Sequence, residues 1–299
     1  MRRSAFTMIE LIFVIVVMGI IGKFGVEFLA QAYKNFIFTN VNNTLQSDTS
    51  YAVEVISKRL ENRVRDSVIA RKTTTSATTI PDTVPINDAV GDSYTVLEWI
   101  SVDEEGFRGD YKPNWSGIID LFNTKTTTTV LYSPETNTTA IDTLINNLSN
   151  GDSGIEDAAL YSIGSNGDVL SSYGWEAGSL AQDGIIHPIT AGTDIDTFIS
   201  SNSSDFSGSD ISEYYKLVWT ANALVWSDDG SGKSKGDLTF YYDYQPWNGE
   251  TIADAKSALL MENVSTFKFR AIGSILKIQL CVKSTLVEEY ALCKEKTIF

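Results

Sequence analysis

A single acidic residue, Glu10, interrupts the long apolar run near the N-terminus of the chain. The run covers residues 6–22 and reads FTMIELIFVIVVMGIIG. At about 1.5 Å per residue it reaches roughly 25 Å as a helix, near the lower limit for crossing the hydrocarbon core of a bilayer. An ionised carboxylate there costs several kcal/mol unless it is paired or lies near the headgroups. We therefore expect one of two arrangements: the Glu10 side chain snorkels to the membrane surface, or it pairs with a cation supplied by another chain.

The flanks of this run predict its orientation in a membrane. Arg2 and Arg3 precede it, which favours a cytoplasmic N-terminus and an exported body. The residues that follow, 23–27, read KFGVE and lack the small-residue cleavage site of a secretory signal. We therefore expect the apolar segment to be retained as a single-pass anchor.

Histidine and cysteine limit the catalytic chemistry open to the chain, which has one His and two Cys. His187 would have to serve any histidine-dependent triad, dyad or metal site, and it lies in a loop-like stretch, DGIIHP. We expect a satisfied or exposed loop histidine, and we predict no catalytic residue, metal or cofactor. Cys281 and Cys293 form an isolated pair, which in an exported protein predicts a disulfide bond.

Charge divides the chain into two unlike parts. Residues 1–72 hold 10 basic and 6 acidic side chains, net +4, whereas residues 73–299 hold 13 and 32, net -19. So acidic a body repels phosphate backbones, and we predict no nucleic-acid binding through its general surface. The arginines at 59, 63 and 65 favour a salt-bridged helix face over a docking patch.

The N-terminal residues resemble a known processing site. Residues 4–12, SAFTMIELI, are similar to the site cut in type IV prepilins and in the pseudopilins of type II secretion. The resemblance implies that prepilin peptidase cuts between Ala5 and Phe6 and that the new amino group of Phe6 is N-methylated. The family usually has Gly before the cut, and Ala5 departs from that pattern. The likeness is specific over residues 1 to about 35 and generic beyond them.

The same resemblance gives Glu10 a partner. After cleavage the Phe6 ammonium and the Glu10 carboxylate both lie in an apolar bundle, where a lone charge is expensive and a pair is tolerable. Pairing of Glu10 with the Phe6 ammonium of the preceding subunit would set the axial register of a filament. The implied partners are prepilin peptidase, the inner membrane and other pilin or pseudopilin subunits, which pack through the N-terminal helix.

Patterning predicts an α+β fold. We expect a leader at 1–5, a transmembrane and amphipathic helix at 6–72 with a bend or break near 39–50, and a β-rich domain at 73–299. Apolar residues recur every three or four positions from Val53 to Val68, which predicts one helix face. Alternation and turn residues predict an antiparallel sheet packed on this helix. The expected strands are 94–100, 117–122, 128–132, 216–225, 238–244, 266–272 and 275–282.

Residues 113–215 form a distinctive acidic region, with 14 acidic side chains and one basic one, Lys125. It suits a β-rich insertion displayed on a surface, or a subdomain that binds a partner or calcium. The stretches 204–210 and 228–232 offer carboxylates, but neither matches the EF-hand spacing. We expect solvated acidic loops.

These observations predict a structural subunit of a type IV pilus or a type II secretion pseudopilus. We expect a minor subunit, at the tip or at assembly initiation, because a body of this size is bulky to repeat along a filament. It would cross the inner membrane once, hold its body in the periplasm and then enter the filament. The family implies a stabilising C-terminal disulfide loop. A filament-borne adhesin that uses residues 113–215 is the alternative, and a membrane-anchored exported hydrolase is a further one.

Overall fold

A single uninterrupted helix, α1 (Met8–Glu61), opens the structure. The computed structural model describes residues 7–72, 83–176, 178–182, 184–202, 204–228, 230, 235–287 and 290–299. The predicted break near 39–50 is wrong. Polar residues there satisfy themselves within the helix, since the Thr49 hydroxyl donates to the Leu45 carbonyl at 2.6 Å and the Ser50 hydroxyl donates to the Gln46 carbonyl. Their propensity costs are each below about 0.7 kcal/mol, so packing readily offsets them.

Two short α-helices and twelve strands follow α1 in the described residues. The helices are α2 (Glu104–Arg108) and α3 (Thr138–Leu148). The strands are β1 (Ile69–Lys72), β2 (Thr83–Pro85), β3 (Tyr94–Val102), β4 (Val130–Tyr132), β5 (Ala159–Ser162), β6 (Ile186–Ala191), β7 (Thr197–Ser200), β8 (Tyr215–Asp228), β9 (Gly236–Tyr242), β10 (Lys256–Ile272), β11 (Ile275–Lys283) and β12 (Ala291–Ile298).

The helix ends at Glu61 and not at residue 72. Val64 donates its backbone N–H to the Ile100 carbonyl of β3 at 2.8 Å, and β1 then pairs with β3. Val64 and Val68 are buried as predicted, but from irregular chain that leads into the sheet. Leu60, Val64 and Val68 are therefore spaced by four residues without sharing one helix: Leu60 is helical, and the two valines lie in irregular chain.

The sheet is antiparallel throughout and branches at β8. Its main arm runs in the order β2, β1, β3, β8, β9, β10, β11, β12. Val218 of β8 pairs with Val102 of β3 on one edge and with Ala159 of β5 on the other. A second arm continues from β5 through β6 and β7 to β4.

Two apolar cores fill the body. One lies between α1 and the main arm and includes Ala52, Ile56, Leu60, Trp99 and Phe267. The other lies within the acidic region and the start of β8. The predicted α+β fold, a long helix packed on a mainly antiparallel sheet, is confirmed.

Six of the seven predicted strands overlap observed ones. The exception is 117–122, where Ile118 makes an isolated bridge to Tyr214 and the chain then turns. The Asp120 carboxylate stabilises that turn by accepting the Phe122 N–H at 3.2 Å. The elements that escaped prediction are α3, β5, β6 and β7 of the acidic region, together with β1, β2, α2 and the last strand, β12.

Candidate functional site

The first half of α1 is apolar and uncovered. The residues from Thr7 to Asn40 are all exposed or partly exposed, and Val41 is the first buried residue of the helix. At about 1.5 Å per residue, this projecting part reaches roughly 50 Å. It contains a segment long and apolar enough to cross a membrane. Exposed apolar side chains surround the helix, among them Leu11, Ile12, Phe13, Ile15, Val16, Met18, Ile20, Ile21, Phe24, Phe28 and Leu29.

Glu10 lies in the first turn of this segment and caps its own helix. Its Oε2 accepts the Thr7 backbone N–H at 3.0 Å and the Thr7 hydroxyl at 2.8 Å. These bonds satisfy a backbone donor that a helix start leaves free. Both bonds use the same oxygen, so among the described residues Oε1 can still accept a bond from a cation. Ala5 and Phe6, the residues of the expected cleavage site, lie outside the described residues.

The middle of α1 enters the body alongside β12. The ring of Phe38 packs edge-on against Tyr290 at 4.9 Å between centroids, and the Tyr290 hydroxyl donates to Asn42 at 2.6 Å. Farther along, Lys294 donates to the Ser50 hydroxyl. The helix is thus joined to β12 and to the residue just before it by polar contacts about two turns apart, in addition to the apolar core.

A disulfide bond joins the two strands closest to α1. Cys281 of β11 and Cys293 of β12 lie opposite each other in the strand register and are bonded. The predicted pairing is confirmed. It fixes the edge strand β12, and therefore the strand against which α1 is held.

The arginines near the end of α1 hold the helix to the body. Arg63 is buried and donates to the carbonyls of Leu60 at 2.6 Å and Ser274 at 2.8 Å, and burial lowers its pKa. The Arg59 guanidinium lies over the ring of Phe240, 5.7 Å from the centroid. Both side chains pack within the body, so the expected salt-bridged helix face is not what these two arginines form.

His187 is neither exposed nor in a loop. It lies on β6 with none of its surface exposed, and no hydrogen bond of normal geometry reaches either ring nitrogen in the described part of the chain. Burial lowers its pKa to about 4, an effect partly offset by the backbone at Gln182 and by Asp210. The histidine is therefore neutral in the folded protein at neutral pH.

Two buried carboxyl groups escaped sequence reasoning. Glu98 of β3 contacts Arg71 at 2.5 Å and accepts the Tyr244 hydroxyl at 3.0 Å, and burial raises its pKa. Asp103 accepts the Gly106 N–H and the Trp115 indole N–H at 3.0 and 3.1 Å, and burial raises its pKa to about 6. An acidic residue just before a short helix was the available signal for Asp103.

The acidic stretches singled out for calcium use their carboxylates locally. Asp205 accepts the Ser207 N–H at 3.0 Å, and Asp228 accepts the Gly230 N–H at 2.7 Å. Within the described residues, no group of three or more His, Cys, Asp or Glu side chains is placed to hold a metal ion. Residues 229, 231 and 232 of the second stretch lie outside the described residues.

No protein-family model, curated protein or solved structure matches this chain.

Proposed function

We propose that the chain is a membrane-anchored, exported subunit of a type IV pilus or type II secretion pseudopilus, inserted through its N-terminal helix. One observation carries the proposal: the first half of α1 projects from the folded body with apolar side chains exposed around it and Glu10 in its first turn. Such a surface needs lipid before assembly and other apolar helices afterwards.

Glu10 distinguishes this helix from an ordinary anchor. Capping of α1 uses one oxygen of Glu10 in any anchor, but a carboxylate in the first apolar turns is costly, and a subunit that meets a neighbour's amino group gives the second oxygen a partner. Glu10 keeps Oε1 open while Oε2 caps the helix. Cleavage after Ala5 would create the matching ammonium on Phe6.

Rigid attachment of α1 to the body supports an assembly role. The helix is continuous from the exposed segment into the core, where Asn42 contacts Tyr290, just before β12, and Ser50 contacts Lys294 of β12. If the exposed N-terminal halves of α1 pack together in a filament, the axial position of each helix would therefore also fix the position of its body. The size of the body favours a minor subunit, at the tip or at initiation.

Processing is the first test. Mass analysis of the mature protein from its native membrane, with and without prepilin peptidase, should show a chain that begins at N-methylated Phe6 only when the peptidase is present. Ala5→Gly should be processed at least as well, because Gly is the family's usual residue. An intact Met1 in the presence of the peptidase would contradict the proposal, and so would a mature chain that begins after Gly22.

Incorporation is the second test. Glu10→Ala should leave membrane insertion unchanged and reduce the amount of subunit in sheared filaments or cross-linked pseudopili. Glu27→Ala is the matched control, because it removes an exposed acid from the same helix, where Glu27 pairs with Lys23 at 3.8 Å. Equal incorporation of both variants would remove the role assigned to Glu10.

A further inference from the structure

Six asparagines of the chain occur in the sequence Asn-x-Ser/Thr, in which x is not Pro. This sequence is the acceptor site for N-linked glycosylation of exported proteins. The six are Asn42, Asn114, Asn137, Asn147, Asn202 and Asn263. Ser and Thr are abundant in this chain, so the sequence alone does not select among these sites, and the structure must do so.

Three of the sites have their reactive groups occupied within the body. Transfer of a sugar uses the Nδ2 of the asparagine and requires the hydroxyl group two residues later. The Asn202 Nδ2 already donates to a backbone carbonyl at 2.9 Å. The hydroxyls of Ser149 and Ser265, which complete the sites at residues 147 and 263, donate to backbone carbonyls at 3.2 Å. These sites are poor acceptors.

Two further sites are held in the folded body. The Ser116 hydroxyl, which completes the site at Asn114, is partly buried and lies 3.1 Å from the Ser133 hydroxyl. Asn42 lies inside α1, and its Oδ1 accepts the Tyr290 hydroxyl at 2.6 Å. An acceptor segment has to enter the active site of an enzyme, and a residue inside a long helix does so only if backbone hydrogen bonds on both sides break.

The Asn137 site differs from the other five in both respects. Asn137 is the N-cap of α3 and has an extended backbone, with φ -128° and ψ 94°. Its Oδ1 accepts the Ala140 N–H at 2.9 Å, whereas its Nδ2 makes no hydrogen bond in the described part of the chain. Thr139, which supplies the hydroxyl, is exposed in the first turn of α3, where helices fray. A sugar on Nδ2 leaves Oδ1 free to cap the helix, so the modification is compatible with the fold.

The chain just before Asn137 offers a charge that a transferase can bind. Glu135 precedes it by two residues, and none of the other five sites has an acidic residue at that spacing. The Glu135 side chain is 83% exposed and lies 3.4 Å from the Lys112 ammonium. An ion pair this exposed is weak, so it does not keep the carboxylate from another cation.

An open polar groove beside Asn137 has room for sugar residues. Its volume is about 670 Å³. Besides Asn137 and Thr139, its polar lining includes Glu105, Arg108, Asp110, Asn114, Thr143 and Asn147. These side chains supply both donors and acceptors, which are the groups that saccharide hydroxyls bind.

We propose that Asn137 is N-glycosylated on the exported side of the membrane. The donor is a saccharide linked to a polyprenyl diphosphate, and the enzyme is a membrane oligosaccharyltransferase. A bond forms between the anomeric carbon and Nδ2, while the bond from that carbon to the diphosphate oxygen breaks. The diphosphate leaves with the electron pair, and one Nδ2 proton passes to a base of the enzyme. The inference rests on the proposed function for the export of the body.

Peptide mass analysis of the mature protein from its native membrane tests the modification. Chymotrypsin cuts after Tyr132 and Leu144, which separates Asn137 from the sites at residues 114 and 147. The peptide that contains Asn137 should carry the added mass of a saccharide. The unmodified mass of this peptide throughout the mature population would overturn the proposal, and so would a saccharide found only on another asparagine.

Two pairs of variants show whether the acceptor site is the one proposed. Asn137→Asp keeps the cap of α3 and removes Nδ2, so it should fold as wild type does and lose the saccharide completely. Asn147→Asp makes the same change at an exposed position of α3 and should keep it. Thr139→Ala should lose most of the modification, and Thr139→Ser should retain it. A saccharide that persists in Asn137→Asp, or that is unaffected by Thr139→Ala, would contradict the assignment.

The outcomes separate this site from the filament proposal. A mature chain that begins at N-methylated Phe6 and carries no sugar would leave the filament function intact and remove the glycosylation site. A glycosylated Asn137 in a chain with an intact Met1 would support export and the site, and would contradict processing as a pilin or pseudopilin.

Discussion

Lowering the pH from 7 to about 5 should weaken the folded body through one side chain, His187. The imidazole is fully buried on β6 and has a pKa of about 4 when folded, against an ordinary value of 6.5. Between these two pH values the unfolded chain therefore binds a proton at His187 that the folded chain does not bind. Stability from this residue is complete above pH 6.5 and is lost as the pH falls toward the folded pKa.

The size of the effect follows from the two pKa values. At about pH 5 the unfolded histidine is almost fully charged, while roughly a tenth of the folded population is, and integration from pH 7 gives a loss of about 2 kcal/mol. Asp103 acts in the opposite sense, because its raised pKa of about 6 makes the folded state the better proton binder. Its gain over the same range is about 1 kcal/mol. Burial also raises the pKa of Glu98, which acts in the same sense as Asp103, so the wild-type profile alone mixes His187 with several acids.

A variant isolates the histidine. His187→Leu removes the titrating group and two buried nitrogens that lack normal hydrogen bonds, so it should be as stable as wild type at pH 7 or slightly more stable. Urea unfolding followed by tryptophan fluorescence reports on the body, because all six Trp lie beyond α1. The wild type should lose about 2 kcal/mol more than His187→Leu between pH 7 and about pH 5.

Direct titration gives an independent check. The chain has one histidine, so its imidazole resonance needs no assignment by mutation. A folded pKa near 6.5, or the same pH dependence in wild type and His187→Leu, would show that burial of this side chain does not control its charge.

Three further predictions concern the way α1 is held. Cys281→Ser with Cys293→Ser should lower the free energy of unfolding by about 3 kcal/mol, measured by urea denaturation against wild type under oxidising conditions, and an unchanged midpoint would contradict the stapling role. Ile56→Ala should cost about 2–4 kcal/mol because Ile56 is buried between α1 and the sheet, whereas Ile20→Ala, on the exposed segment, should leave the unfolding of the body unchanged. Arg63→Met should cost about 2 kcal/mol and raise hydrogen exchange at the end of α1, since it removes two charge-assisted bonds to carbonyls while keeping much of the buried stem.

Local patterns predicted the parts of the fold in which one face meets water. The strand that contains Thr266–Ile272 alternates apolar and polar residues because one side contacts the α1 core and the other is exposed. The exposed apolar segment and the disulfide likewise follow from composition near each end of the chain. These signals need no knowledge of distant partners.

The alternation of apolar and polar residues did not predict the strands of the acidic region, and the reason is physical. Its strands are short and buried on both sides, as β6 shows with four consecutive buried residues, so alternation is lost. His187 belongs to that strand, which explains why a stretch flanked by Gly and Pro was interpreted as a loop. Helix α3 begins at an Asn137 cap, a local signal that the abundance of Thr and Asn obscured.

In the candidate site, too, features that depend on local sequence could be predicted, and features that depend on distant residues could not. Glu10 could be identified from sequence, because a carboxylate in an apolar run is costly wherever the run lies. The connection between Glu10 and the body could not be predicted from sequence. It depends on the unbroken α1 and on contacts with Tyr290 and Lys294, which lie near the other end of the chain. A break at 39–50 would uncouple the orientation of the body from that of the exposed segment. Since the helix is continuous, any register set at Glu10 also orients the body.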